Sequence, residues 1–476
     1  MTKSIYISKK SNIKGSSFMI PFLVIFFSII VGFVILFDES RPDYYTFLPL
    51  LPFCFALTCL LLINIFKDFL KKLPYFLVIS LYMVRNVVTP LLMRFGDYYG
   101  AFTLLYNSNV NRAIALMIYE TFVVFGFLFF LNRKTIHYSR TFKVRVSLSK
   151  KKIHLFGFFL FILIAFCIVA LVLVPEIKGH YKTIFDDEGI VKGFITSEMF
   201  IVGNIDRILF TLFTVIFNFL KIYISVWLIC FIGKKFNNTM ISIILSVVII
   251  LAQFLFMSAS DSFTLITVAI LCIVMYKIYK KKRKNVFLLL VTIMFIGPIV
   301  MYIFRSETFS SSVFQTLSYM FQAYFPGVSN IAGVYNTNNP NKLSTLFFDF
   351  YEMIPFRNTL FGLSGDKLAI VYTRSNMALS HIIPCVGQAY HYIGAIFAPI
   401  VPCIFVYTAN KCQAIYRDQN NIWKYVSSLL LCIYAAITPI MYNFTIFGSI
   451  FLITILPMLI LSNCSGNIFT FDKITK

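Results

Sequence analysis

The chain is poor in charge. Only 13% of its 476 residues are Asp, Glu, Lys or Arg, and 19 of them are acidic. Soluble globular domains carry about 25% charged residues, so no soluble domain of ordinary size is hidden here. The short signatures of nucleotide and hydrolase chemistry are also missing. There is no P-loop, no Rossmann glycine fingerprint, no G-x-S-x-G and no H-E-x-x-H. The ten cysteines include no C-x-x-C and no Cys/His spacing that suits a metal. Most of them (Cys54, Cys59, Cys167, Cys230, Cys272, Cys403, Cys432) lie inside apolar runs, where they behave as small hydrophobes. Neither disulfides, a metal nor an organic cofactor is expected. No internal repeat stands out, which counts against a symmetrical transporter.

What the chain has is apolar sequence: 59% hydrophobic residues and a mean hydropathy of +0.83. Apolar runs fall at about 18–37, 46–66, 73–93, 113–131, 153–174, 208–233, 239–257, 262–279, 286–304, 388–408, 425–442 and 444–461. A helix needs about 20 apolar residues to cross a bilayer. The expected fold is therefore an all-α polytopic membrane protein with about twelve transmembrane helices. Lys3, Lys9, Lys10 and Lys14 precede the first run as in a signal peptide. That run is long and no small-x-small cleavage site follows, so it reads as a retained helix.

The formal charge of +23 would suggest a nucleic-acid partner, but its placement argues against one. With the N-terminus in the cytoplasm, most of the 42 Lys and Arg fall in inner connectors, densest from Arg133 to Lys152 and from Lys277 to Lys284. The acids on that side are Asp68, Asp418 and Asp472. This is the positive-inside pattern, with both termini cytoplasmic and the charge facing anionic lipid.

The rhythm of runs and short connectors breaks once. Residues 305–387 form one long extracytoplasmic loop between helices 9 and 10, following a nine-helix part (1–304) and preceding a three-helix part (388–476). Its aromatic residues, Gly and Pro punctuation and isolated charges describe a folded cap. Function is sought there, because loops held by a rigid scaffold tend to carry it.

Arginine is suited to holding phosphate, being always charged and able to bond bidentately. Arg305 ends a helix at the outer interface; a residue snorkelling to headgroups is its bland reading. Arg357 and Arg374 lie in the loop, where ordinary salt bridges compete, and Arg207 opens the sixth helix from outside. His381 and His391 straddle PCVGQAY at the return to the membrane and could take a hydroxyl proton, with Asp366 and Asp349 as further bases. Arg85, Glu120 and Lys221 fall inside apolar runs and mark a possible intramembrane polar site, with Glu120 able to pair with either cation. Asp38-Glu39 and Asp186-Asp187-Glu188 could hold a hard cation, but serve equally as acidic outer connectors.

The segments QAYFPGVSNIAGVY (Gln322–Tyr335), FYEMIPF (Phe350–Phe356) and IPCVGQAYHYIGAIFAPI (Ile383–Ile400), under this architecture, resemble the Wzy-type oligosaccharide repeat-unit polymerases. The resemblance covers the whole chain in architecture and about its last third in motif. It implies the fold of the metal-independent O-antigen ligases and a place in the bacterial cytoplasmic (inner) membrane. The implied reaction is transfer of a growing glycan from undecaprenyl diphosphate to a lipid-linked repeat unit, in capsule or O-antigen synthesis. Partners would be those lipid-linked oligosaccharides, membrane lipid, a chain-length regulator and a flippase. Many members carry Gly-Ser-Arg where this chain has Ser258–Asp261, and the paired arginine signatures of some are absent from the loop. On this expectation Arg305 and one of Arg357, Arg374 or Arg207 hold the diphosphate. His381 is the base, His391 or Asp366 stands behind it, and an intramembrane groove holds the prenyl tail. Competing readings are a lipid-linked oligosaccharide flippase or transporter, and a metal-dependent sugar transferase using Asp38-Glu39.

Overall fold

The computed structural model describes residues 16–63, 72–100, 107–134, 142–145, 150–175, 177, 204–235, 239–256, 262–279, 313–337, 342–355, 357, 361–363, 365–376, 382–418, 421–464 and 470–473. Arg305, His381, the acidic run at 186–188, Ser258–Asp261 and the apolar run 286–304 lie outside them, as does the side chain of Arg207.

Among the described residues, helices lie over the apolar runs. The first part contains α1 (Ser16–Leu36), α2 (Leu50–Leu61) and α3 (Leu73–Met83). α3 continues through a π turn at Val84–Val88 into α4 (Thr89–Gly96), and α5 (Asn107–Lys134) follows. Then come α6 (Lys150–Leu173), α7 (Asn204–Lys235), α8 (Thr239–Leu251) and α9 (Ser262–Tyr279). Among the described residues, five helical segments are long and apolar enough to cross a membrane, or six if one bent pair is a single span. The chain is therefore a helical, multi-pass membrane protein.

The bent pair departs from the expected straight helix over 388–408. α14 (Cys385–Phe397) and α15 (Ile400–Asp418) meet at 109°. Just ahead of the bend, Gly394 adopts φ 77° and ψ 172°, a conformation essentially confined to glycine, which kinks α14 from within.

Before that bend, the long loop folds into short amphipathic helices: α10 (Val313–Tyr324), α11 (Val328–Tyr335), α12 (Lys342–Met353) and α13 (Leu368–Asn376). The C-terminal part adds α16 (Ile422–Met441), α17 (Phe444–Ile450) and α18 (Leu456–Cys464). One departure from an all-helical chain is a two-stranded ribbon. β1 (Phe142–Arg145) pairs antiparallel with β2 (Thr470–Lys473), tying the basic connector after α5 to the C-terminal segment.

α16 organises the packing. Its sequence IWKYVSSLLLCIYAAITPIM is apolar almost all round, the pattern of a helix buried on every side. Tyr434 and Leu430 face a core shared with α6–α9, while Ala435, Ala436 and Ile440 face a second core built from α1–α5, α11, α14 and α15. Trp423 stacks flat on Tyr223 of α7, ring centroids 3.4 Å apart. Small residues on one side and large ones on the other let one helix join two bundles.

The cap is fastened to α5 by amides. Asn109 donates to Asn336 (2.7 Å), Asn336 to Asn376 (2.8 Å), and Asn376 to the Gly333 carbonyl (2.9 Å). Ser318 and Gln322 of α10 both bond the Tyr98 carbonyl beyond α4.

Candidate functional site

The polar cluster with the best-built geometry lies where α11, α12 and α14 meet. Asp349 of α12 is buried, and three donors converge on its carboxylate. These are the Leu368 N–H (3.1 Å), the Gln388 side-chain amide (2.8 Å) and the Tyr392 hydroxyl (2.7 Å). Burial raises the Asp349 carboxyl above the usual range, and the bonds from Tyr392 and Gln388 offset part of that rise. Gln388 spends its remaining capacity on Thr445 and on the N–H of Phe444, which starts α17. Asp349 thus fixes the outward face of α14 and is not a free base.

One turn along α14 stands His391, 3% exposed. Its Nδ1 lies 3.1 Å from the Thr337 hydroxyl, which itself donates to the Val334 carbonyl (2.7 Å). A hydroxyl has one proton, so Nδ1–H must be the donor to Thr337. Nε2 then carries the lone pair, and it has no hydrogen-bond partner among the described residues. A neutral imidazole held by one nitrogen with the other unengaged is the arrangement required of a proton acceptor.

The loop arginines are occupied. Arg357 forms an ion pair with Glu352 (2.5 Å) and donates to its backbone carbonyl (2.9 Å), while Lys367 pairs with the other Glu352 oxygen. Arg374, 67% exposed, pairs with Asp366. The expected phosphate ligand and the expected reserve base therefore engage each other. Arg207 sits in the first turn of α7.

Deeper in the bundle, Arg85 and Glu120 pair with each other, both side chains fully buried (2.5 Å). Tyr82 donates to the second Glu120 oxygen (2.8 Å), and its ring lies under the guanidinium. Arg85 Nε and Nη1 have no partner among the described residues. The π turn that carries Arg85 and Asn86 rotates both inward, and Asn86 bonds Thr121 of α5 (2.9 Å). Lys221 bonds Thr264 of α9 instead (2.7 Å).

Asp38 is engaged as well. It accepts from Ser40 (3.0 and 2.7 Å), Tyr99 (2.6 Å) and Arg94 (2.9 Å), while Glu39 is exposed. Among the described residues no three metal-ligating side chains gather.

Sequence reasoning passed over Arg112. It is exposed near the start of α5 and has no ion pair among the described residues. It borders a cavity of about 280 Å³ with Tyr119, Tyr335 and Ile396. The signal was available, since a cation opening an apolar run is the reasoning applied to Arg207. Tyr335 packs on Tyr390, the neighbour of His391, with ring centroids 4.3 Å apart.

Fold and site define a multi-pass helical membrane protein with a folded polar cap over a broken helix. No family profile, curated protein or solved structure matches the chain.

Proposed function

We propose that this protein is a membrane glycosyltransferase, an oligosaccharide repeat-unit polymerase acting at the outer face of a bacterial cytoplasmic membrane through about twelve spans. The carrying observation is His391, buried beneath the cap with Nδ1 committed to Thr337 and Nε2 unengaged. In the proposed reaction a sugar hydroxyl of the lipid-linked acceptor gives its proton to Nε2. Its oxygen bonds the anomeric carbon of the donor glycan as the bond to undecaprenyl diphosphate breaks, and the diphosphate leaves as an anion. The leaving group is already good, so the protein supplies a base and positive charge. Arg305 and Arg207 stay the proposed holders of the diphosphate. Arg357 and Arg374 would first have to leave Glu352 and Asp366. His381 remains a second proposed base.

The test is His391→Gln in proteoliposomes supplied with lipid-linked repeat units. Gln keeps a bond to Thr337 but cannot accept the proton. Turnover should fall by roughly 10²–10⁴, with single repeat units accumulating at normal protein level. Ordinary polymer ladders would remove His391 from the mechanism.

A second reading, a lipid-linked oligosaccharide flippase or transporter, is favoured by one observation. The Arg85–Glu120 pair is an intramembrane charge pair with unengaged guanidinium nitrogens.

A further inference from the structure

α12 has two unlike faces. Thr345 and Asp349 are buried against the protein, and Asp349 reaches Gln388 and Tyr392 of α14. Leu343, Phe347 and Phe350 recur at helical spacing on the other side, with Ile354 just beyond the last turn, and all four are exposed. Phe361 and Leu363 widen the apolar surface at this end. The Phe361 ring meets Tyr351 edge-on (6.3 Å), and the Leu363 N–H donates to the Tyr351 hydroxyl (3.3 Å). Both residues are exposed as well. A continuous strip of large apolar side chains left open marks an interaction surface.

The neighbours of α12 fix its level. α16 is long and apolar enough to cross a membrane and ends at Met441, so the turn at Tyr442 and Asn443 marks a membrane face. From that turn α17, a π turn (Phe451–Ile455) and α18 run on as one apolar helix over Phe444–Ile460. Phe350 lies against Phe444, ring centroids 5.5 Å apart, and Met353 covers Gly448, where an added Cβ would collide with its Sδ. Gly448 is roughly 6 Å past the start of α17 at 1.5 Å per residue. Amphipathic helices settle at about that depth, 5–10 Å into the boundary between headgroups and acyl chains. Charge sits at the ends of the strip. Lys342, exposed, precedes Leu343; beyond Ile354, Arg357 and Lys367 share Glu352 and leave one positive charge in excess. Cations at the rim of an apolar face suit lipid phosphates.

We propose that the exposed face of α12 is seated in lipid, in the leaflet where α17 begins, and so anchors the cap in the bilayer. With 12 residues α12 is about 18 Å long, too short to cross the roughly 30 Å of hydrocarbon. The seat is therefore interfacial and confined to one leaflet. Continuity with α17 selects lipid over a second copy or a further segment of the chain, because whatever covers the strip must lie beside the first turns of a membrane helix. The proposal stands apart from the catalytic reading and does not depend on it. Lipid on one face and Asp349 on the other make α12 a strut between the bilayer and α14.

The experiment adds one tryptophan to the full chain in each of three variants, Phe347→Trp, Ile354→Trp and Thr373→Trp. Each is placed in vesicles of phosphatidylcholine and phosphatidylglycerol brominated on the upper acyl carbons. Trp227 and Trp423 of the unsubstituted protein give the background. The emission added at positions 347 and 354 should shift to the blue and be lost to bromine. That added at position 373, beside the exposed Arg374–Asp366 pair, should survive. Emission at the first two positions quenched no more than at the third overturns the proposal. Photo-cross-linking from p-benzoylphenylalanine at position 347 separates the occupants. Capture of lipid upholds the proposal, while capture of a second copy or of another segment of the chain overturns it. A last comparison needs no probe. Phe347→Ser and Phe347→Asp remove the same ring contacts, but the aspartate also brings a charge into lipid. Amide exchange in α12 should be about tenfold faster in the Asp variant than in the Ser variant, with α16 unchanged in both. Equal exchange in the two would place the strip in water and overturn the proposal.

Discussion

Breaking the buried pair of Arg85 and Glu120 should cost far more than deleting it. Both side chains are wholly buried, and Glu120 accepts from both Arg85 and Tyr82. Glu120→Leu leaves a guanidinium in the bundle with no counter-charge and strands the Tyr82 hydroxyl. Arg85→Met leaves a carboxylate held only by Tyr82. Each should destabilise by roughly 3–5 kcal/mol, the usual cost of removing one partner of a buried pair. The double replacement removes both charges and also the two guanidinium nitrogens that have no partner. Against that it orphans one Tyr82 hydroxyl, costing about 1–3 kcal/mol. The double variant should therefore lie within about 2 kcal/mol of wild type, or above it. The coupling in a double-mutant cycle is then of the order of 5 kcal/mol or more. Reversible unfolding in mixed micelles by SDS titration reads all four corners of the cycle. Additive effects, with the double variant worse than either single one, would refute the pairing. The same double variant separates two functions. If it keeps polymer synthesis, the intramembrane charges serve architecture; if it folds and loses all activity, the transporter reading gains ground.

Two further expectations concern the turn after α1 and the kink in α14. The Asp38 carboxyl is pushed up by burial, but bonds from Tyr99 and Ser40 and the charge of Arg94 outweigh this and hold it below its ordinary 3.8. Its contribution is therefore present above pH 3.8 and is lost as pH falls through the lowered folded value. Asp38→Asn should cost roughly 1–2 kcal/mol near neutrality, with the gap to wild type closing in acid; a gap that stays constant with pH, read by hydrogen exchange of the α1–α2 turn, would refute this account. At the kink, a Cβ on Gly394 meets no atom within 4 Å, so Gly394→Ala should act through the backbone alone. It should destabilise by about 1–3 kcal/mol in thermal unfolding, and a neutral result would mean that φ 77° is not held.

The sequence by itself determined where helices form, because the free energy of placing apolar residues in a bilayer is local and additive. Runs such as 113–131 and 208–233 were legible for that reason, and α5 and α7 lie over them. It also singled out Arg85 and Glu120, since a charge inside a span is costly wherever its partner lies. Tertiary structure alone decided the partners. Glu120 chose Arg85 over Lys221 because a π turn aims Arg85 at α5, while Lys221 faces Thr264. For Arg357 and Arg374 the sequence left phosphate binding and an ordinary salt bridge both open; Glu352 and Asp366, within eight residues, take them. Asp349 is joined to Gln388 and Tyr392 across about forty residues, and His391 to Thr337 across more than fifty. Such pairings follow from how short cap helices pack on a bent one. Just ahead of the bend, α14 is kinked at one glycine whose φ no composition reveals.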